Sequence, residues 1–147
     1  MFAPGREVTR EEMLAMLLRA YNVDVTGALA DKFADVDASA WYAPYVAKAV
    51  AEGWVKGMSD TEFGTGRYIT REEAATMAFR ISVSFGKQYT SAASKFSDDT
   101  EIFDYAKEPV YSLAGVGVIN GMGDGTFAPK ANCTRAQAAK IIYTLIN

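Results

Sequence analysis

The chain repeats itself, and the repeat limits what it can fold into. Thr9-Arg10-Glu11-Glu12 returns as Thr70-Arg71-Glu72-Glu73 and again as Thr134-Arg135-Ala136-Gln137, at steps of 61 and 64 residues. Phe33-Ala34-Asp35 returns as Phe96-Ser97-Asp98. Gly53-Trp54-Val55-Lys56-Gly57-Met58 returns as Gly117-Val118-Ile119-Asn120-Gly121-Met122. Phe63 matches Phe127, and Phe2 stands in the same relation to the first Thr-Arg. Units that share a pattern build one core by packing against each other, because a single unit cannot bury its own apolar face. Two full copies run over 33–86 and 96–147, preceded by the second half of another over 1–21. Residues 22–32 and 87–95 read as linkers. The division is 1–27, 28–87 and 88–147, all within one compact domain.

Each Thr-Arg segment predicts a helix start. Thr9 with Glu12, Thr70 with Glu73 and Thr134 with Gln137 fit a capping box, in which the hydroxyl accepts from the third helical N–H and the acid or amide reaches back. Val8, Ile69 and Cys133 precede the caps at the staple position. Cys133 is therefore read as a buried staple residue rather than a reactive thiol. Apolar residues then follow at helical spacing, as in Met13, Leu14, Leu17, Leu18 and Tyr21. The other half of each copy is helical too, over 44–52 and 108–116, with Pro44 and Pro109 near the starts and Gly53 and Gly117 as left-handed exits. Residues 59–62 and 123–126 are turn-rich loops, with short flanking strands weakly signalled. The class is mainly α.

Composition removes several functions. The 147 residues are 50% hydrophobic and 22% charged, enough for a core. A net charge of −3 lacks the broad basic surface of a nucleic-acid binder. Histidine is absent, which excludes Ser-His-Asp and Cys-His catalysis and any His-containing metal site. One cysteine supports neither an intrachain disulfide nor a four-thiolate zinc site. No stretch approaches the roughly 18 apolar residues of a membrane span, so membrane insertion is not expected. Residues 1–6 lack the apolar centre of a signal peptide, and a leader removed ahead of Met1 would leave this unchanged. No cofactor is indicated.

The arginines are the puzzle. Arg10, Arg71 and Arg135 each take the first helical position, where a cation opposes the helix dipole. One reading is an anion site, in which free helix N–H groups and a guanidinium fork suit a carboxylate or phosphate. The other is an internal bridge to a nearby acid such as Asp35 or Asp98. Trp41 and Tyr105 lie at matching positions and either stack on a sugar ring or pack under their own loops. Asp35 and Asp98 suit capping or turns. Gly123-Asp124-Gly125 lacks the alternating acids and terminal Glu of a calcium loop. The Glu pairs offer no separated carboxylate couple across a cleft.

These pieces in this order resemble the S-layer homology (SLH) repeat. The resemblance rests on Phe33-x-Asp35, Trp41, Gly53-x-x-x-Gly57, Phe63 and Ile69-Thr70-Arg71-Glu72-Glu73. In the next copy it rests on Phe96-x-Asp98, Tyr105-Ala106, Gly117–Gly121, Gly123–Pro129 and Thr134-Arg135-Ala136-Gln137. Phe2-Ala3-Pro4 through Tyr21 resembles the end of a preceding repeat. The resemblance implies helix-loop-helix units in a pseudo-threefold, three-pronged spindle, here with the first repeat incomplete. It implies a non-catalytic module at the bacterial cell surface that holds proteins to the wall. Its ligand would be a secondary cell-wall polysaccharide, an anionic and often pyruvylated glycan, bound in grooves between prongs. The implied glycan-binding residues are Arg10, Arg71, Arg135, Asp35, Asp98, Trp41, Tyr105, Gly123, Asp124 and Gly125, with Arg135 and the Gly123–Gly125 turn as the best half-site. The missing half-repeat would stand upstream. Its absence is expected to expose the apolar helix from Met13 to Tyr21 and to invite a homodimer or domain swap. The middle copy departs in Ser59-Asp60-Thr61 and Thr65, the third in Tyr105 and Gln137. Two other readings stand beside the anchor: a protein–protein assembly module of a surface layer with structural arginines, and a glycan-cleaving enzyme.

Overall fold

A computed structural model describes residues 5–28 and 32–147. Phe2 and its neighbours, matched above to Phe63, lie outside the described residues. Among the described residues five helices carry the fold: α1 (Arg10–Ala20), α2 (Ala43–Ala51), α3 (Arg71–Ser84), α4 (Asp104–Gly115) and α5 (Arg135–Ile146), with one 3₁₀ turn at Asp99–Glu101. The class is mainly α, as the helical spacing predicts. All three expected capping boxes form, each with both reciprocal bonds. No strand forms among the described residues. The cap segments instead meet in isolated antiparallel bridges Glu7–Thr134, Thr9–Tyr68 and Thr70–Asn132.

Those bridges close a ring. The Val8 N–H donates to the Cys133 carbonyl at 3.0 Å, the Ile69 N–H to Val8 at 3.0 Å, and the Cys133 N–H to Ile69 at 2.9 Å. One residue from each repeat donates to one neighbour and accepts from the other. The three side chains are fully buried. Cys133 thus has the staple role its position predicts, and burial pushes its thiol up to about 11. A second ring runs outside the first. The N–H groups of Arg10, Arg71 and Arg135 donate to the carbonyls of Arg67, Ala131 and Arg6 at 3.0, 2.8 and 2.7 Å. From this hub α1, α3 and α5 set out, α1 packing on α3 and α5, and α3 on α5.

The first helix of each full copy packs on the preceding repeat: α2 on α1, and α4 on α3. This corrects the expectation of an exposed α1. Met13, Leu14, Leu17 and Leu18 are all fully buried, and Tyr21 stacks on Phe85 at 4.8 Å. The open helix face lies on α5. Ala136, Lys140 and Tyr143 are exposed, whereas their counterparts Glu11, Ala15 and Leu18 on α1 are buried.

α4 departs from expectation as well. It begins at Asp104, so Pro109 lies inside it rather than at its start. Pro109 is buried, and its missing N–H leaves one intrahelical bond unmade. α2 keeps its proline in the first turn, as expected. Gly53 and Gly117 exit their helices at φ +76° and +80°.

Candidate functional site

The Phe-x-Asp motif is a latch for the loop ahead of Thr-Arg. Phe33 packs on Phe63 at 5.9 Å between ring centres, and Phe96 on Phe127 at 5.5 Å. Asp35 then accepts the N–H groups of Phe63, Gly64 and Thr65 at 2.8 to 2.9 Å. Asp98 accepts those of Phe127 and Ala128, both at 2.9 Å. Partial burial pushes the Asp35 carboxyl up, but its three backbone donors outweigh that and hold it below the ordinary 3.8. Both aspartates serve turns, as their residue type suggests. Gly57 gives the Phe33 ring its room, since a Cβ there would lie 2.4 Å from it.

The latched loop receives the preceding repeat. Arg10 donates from Nε to the Phe63 carbonyl and from an Nη to the Lys56 carbonyl, both at 3.1 Å, and stacks on the Phe63 ring at 4.9 Å. Its other Nη faces Glu73 at 3.5 Å. Arg71 repeats the pattern one copy on, with Nε on the Phe127 carbonyl at 2.8 Å and the guanidinium over the Phe127 ring at 4.8 Å. Both arginines are buried, which lowers their pKa without discharging them. For these two arginines the alternative of a bridge to Asp35 or Asp98 gives way to bonds to the carbonyls that those aspartates position.

Expectation and structure part at the helix ends. In α1, α3 and α5 the first N–H donates to a neighbouring repeat and the third to the helix's own cap threonine. Of the helix-terminal donors in the anion-site reading, the first and third N–H groups of these helices, and the second of α3 on the Pro129 carbonyl, are therefore taken up by the hub and the caps.

The other acid of the motif also stitches repeats. Both Glu11 carboxylate oxygens accept from the Gly66 N–H at 3.1 Å. Glu72, 2% exposed, accepts from the Phe103 N–H at 3.1 Å and from Lys130 Nζ at 2.6 Å. Lys130 in turn sits 3.2 Å over the Phe103 ring. Both acids of each Glu pair thus make internal bonds.

Three grooves open to solvent between one repeat's arginine and the next repeat's capping box. The first, about 340 Å³, joins Arg10, the 54–58 exit and the Glu73, Thr76, Met77 and Arg80 stripe of α3, with Tyr105 from the third repeat. The second, about 110 Å³, joins Arg71 to the 118–121 exit and to Gln137, Lys140 and Ile141, with no aromatic wall among the described residues. The third, about 350 Å³, joins Arg135 to Arg6, Glu12, Met16 and Arg19, with Trp41 from the middle repeat. Arg6 also pairs with Glu12.

Tyr105 and Trp41 are about half exposed, at 47% and 52%, and each lies at a groove rather than under its own loop. Burial is the first cause that pushes the Tyr105 hydroxyl up to about 12. Trp41 carries Arg19 on its ring at 5.3 Å.

The structure does not bring the Gly123-Asp124-Gly125 turn to Arg135. That turn is exposed, Asp124 closes it by accepting from Thr126, and Gly125 accepts from Ser97. Its repeat supplies the exit wall for Arg71 instead. The ring of repeats is the reason: each arginine reaches the following copy, not its own. Sequence reasoning also passed over Arg80. The i, i+4, i+7 spacing of Glu73, Met77 and Arg80 was the signal that could have found it. No group of potential metal ligands occurs among the described residues, and no described helix is long and apolar enough to cross a membrane.

The comparisons with known proteins agree with this architecture. The S-layer homology domain profile matches residues 32–75 and 95–139. The chain is 38% identical over 99% of its length to an amylopullulanase of Thermoanaerobacterium thermosulfurigenes, covering 8% of that protein. It is 31% identical over 97% of its length to the S-layer protein sap of Bacillus anthracis, covering 17%. It is 26% identical over 97% to a cellulosome-anchoring protein of Acetivibrio thermocellus, covering 32%. The chain thus spans a small part of these relatives, and the amylopullulanase matches it over that small part alone. The chain belongs to the S-layer homology domain family.

Proposed function

We propose that this domain holds a larger protein to the bacterial wall, without catalysis, by capturing an anionic cell-wall polysaccharide in its inter-repeat grooves. The observation that carries the reading is the first groove. It is walled by all three repeats and combines two guanidinium groups, an exposed tyrosine ring and apolar Met58, Met77 and Trp54. Cation and aromatic face together suit a carboxylate-bearing sugar, the acid on the charge and the ring on the aromatic. The third groove pairs Trp41 with arginines in the same way, so one glycan strand engaging both gains avidity.

The test is co-sedimentation with purified cell-wall sacculi, before and after mild acid stripping of the secondary polymer. Retention on intact walls and loss on stripped walls is the expected result. Equal retention on both, or none on intact walls, overturns the reading. The assembly reading has one observation in its favour, the open α5 strip with Tyr143 at 69% and Ile146 at 45% exposure. A second copy docking there gives a homodimer. Sedimentation velocity across a broad concentration range decides it, since a constant monomer removes that reading.

A further inference from the structure

The three grooves are built alike but do not offer the same charge. Arg10 is largely committed. It holds two carbonyls of the neighbouring repeat, faces Glu73, stacks on Phe63, and its side chain is 9% exposed. Its bonds shape the wall, because they fix the Lys56 and Phe63 carbonyls. Arg80 stands two turns along α3 on the same stripe as Glu73 and Met77. It is half-buried, lines the groove, and has no hydrogen-bond or ion-pair partner among the described residues. Tyr105 lines the same groove as both arginines.

At the equivalent position of the third groove is Arg19, which is tied down. Its Nε donates to the Tyr45 hydroxyl at 3.0 Å, and its guanidinium lies over the Trp41 and Tyr45 rings at 5.3 and 5.0 Å. In the second groove the equivalent residue is Thr144, which carries no charge.

We propose that Arg80 is the side chain that grips the ligand's acid group in the first groove, with Arg10 as the positioning residue that builds the wall around it. This rests on the glycan-anchoring reading above and names the contact that reading needs. An uncommitted guanidinium fork takes a planar carboxylate through two parallel bonds. Glu73 on the same stripe disfavours a dianion such as a phosphate monoester, so the preferred ligand is a sugar bearing one carboxylate. The first groove is then the principal site of the chain.

The experiment uses sacculi retention with two soluble competitors, a pyruvate-ketal methyl hexoside and its uncharged methyl ester. Wild type, Arg80→Gln, Arg80→Lys and Arg10→Gln are compared, with thermal melting of each. The acid should displace wild type from the walls and the ester should not. Arg80→Gln should bind about ten- to a hundredfold more weakly at an unchanged Tm, and Arg80→Lys should recover part of the loss. Arg10→Gln should lose binding and Tm together. Wall affinity of Arg80→Gln equal to wild type, or equal displacement by acid and ester, overturns the proposal while leaving the anchoring reading standing. Failure of wild type to bind intact walls overturns both.

Discussion

The aspartate of each Phe-x-Asp latch shows how one side chain sets a loop. Asp35 gives its two oxygens to three backbone N–H groups, and the arginine of the preceding repeat then docks on the carbonyl beside them. Asp35→Asn replaces one accepting oxygen with a donor and strands at least one N–H. The expected cost is about 1–3 kcal/mol, read as a lower urea midpoint, and an unchanged midpoint removes the latch argument. The pH dependence has a definite sign. The folded carboxyl titrates below its ordinary 3.8, so below that value the unfolded chain binds more protons. The stabilisation is whole above 3.8 and is lost as pH falls through the depressed folded value. The gap in stability between wild type and Asp35→Asn should therefore be constant near neutrality and shrink in acid. Cys133 makes the opposite case, a chemically notable side chain put to a plain packing use. Fully buried, with its pKa raised to about 11, its thiol should resist Ellman's reagent at mildly alkaline pH in the native protein and react once urea unfolds it. Rapid labelling of the folded chain would contradict the closed ring.

At the scale of elements, the sequence is most legible where a rule acts within a few residues. Capping boxes, staple residues and the glycine exits at Gly53 and Gly117 are short-range devices, and each forms where the pattern places it. Pro109 is the counterexample. Its position in sequence suggests a helix start, yet α4 begins at Asp104 and runs through it, because packing of α4 on α3 outweighs one missing bond. The second glycine of each Gly-x-x-x-Gly has a different task from the first. Gly57 is needed for space, since a Cβ would lie 2.4 Å from the Phe33 ring and 2.6 Å from the Ser59 and Glu62 carbonyls. Two of those three neighbours are backbone and cannot swing aside. Gly57→Ala should cost about 1–3 kcal/mol, with loss of native near-ultraviolet dichroism around the Phe33–Phe63 pair. Gly53 meets nothing within 4 Å, and alanine there is opposed by its φ of +76° alone. A greater loss of stability at Gly53 than at Gly57 would reverse this assignment.

The whole molecule is where the sequence could be read least. Repeat length, motif order and helical class follow from the chain alone, but the pairing of motifs depends on which copy meets which. Residues close in sequence, such as Arg135 and the Gly123–Gly125 turn, invite association. The hub instead hands each arginine to the next copy, so Arg10 meets Glu73 and Arg71 meets Phe127. No local signal carries that handover, because it is a property of the ring in which Val8, Ile69 and Cys133 bond in sequence. The same handover makes the repeats energetically inseparable, which gives a test at this scale. Arg71 belongs to the middle repeat, yet its Nε holds the Phe127 carbonyl of the third, whose N–H is latched by Asp98. Arg71→Met keeps the aliphatic stem and removes the donor, so the 127–128 loop should open locally while the capping box of α3 stays formed. Amide hydrogen exchange at Phe127 and Ala128 is then expected to rise about tenfold or more, as one lost charge-assisted bond implies, against little change at the Glu73 amide. Repeats that folded as independent units would leave exchange at 127–128 untouched by a substitution 56 residues away.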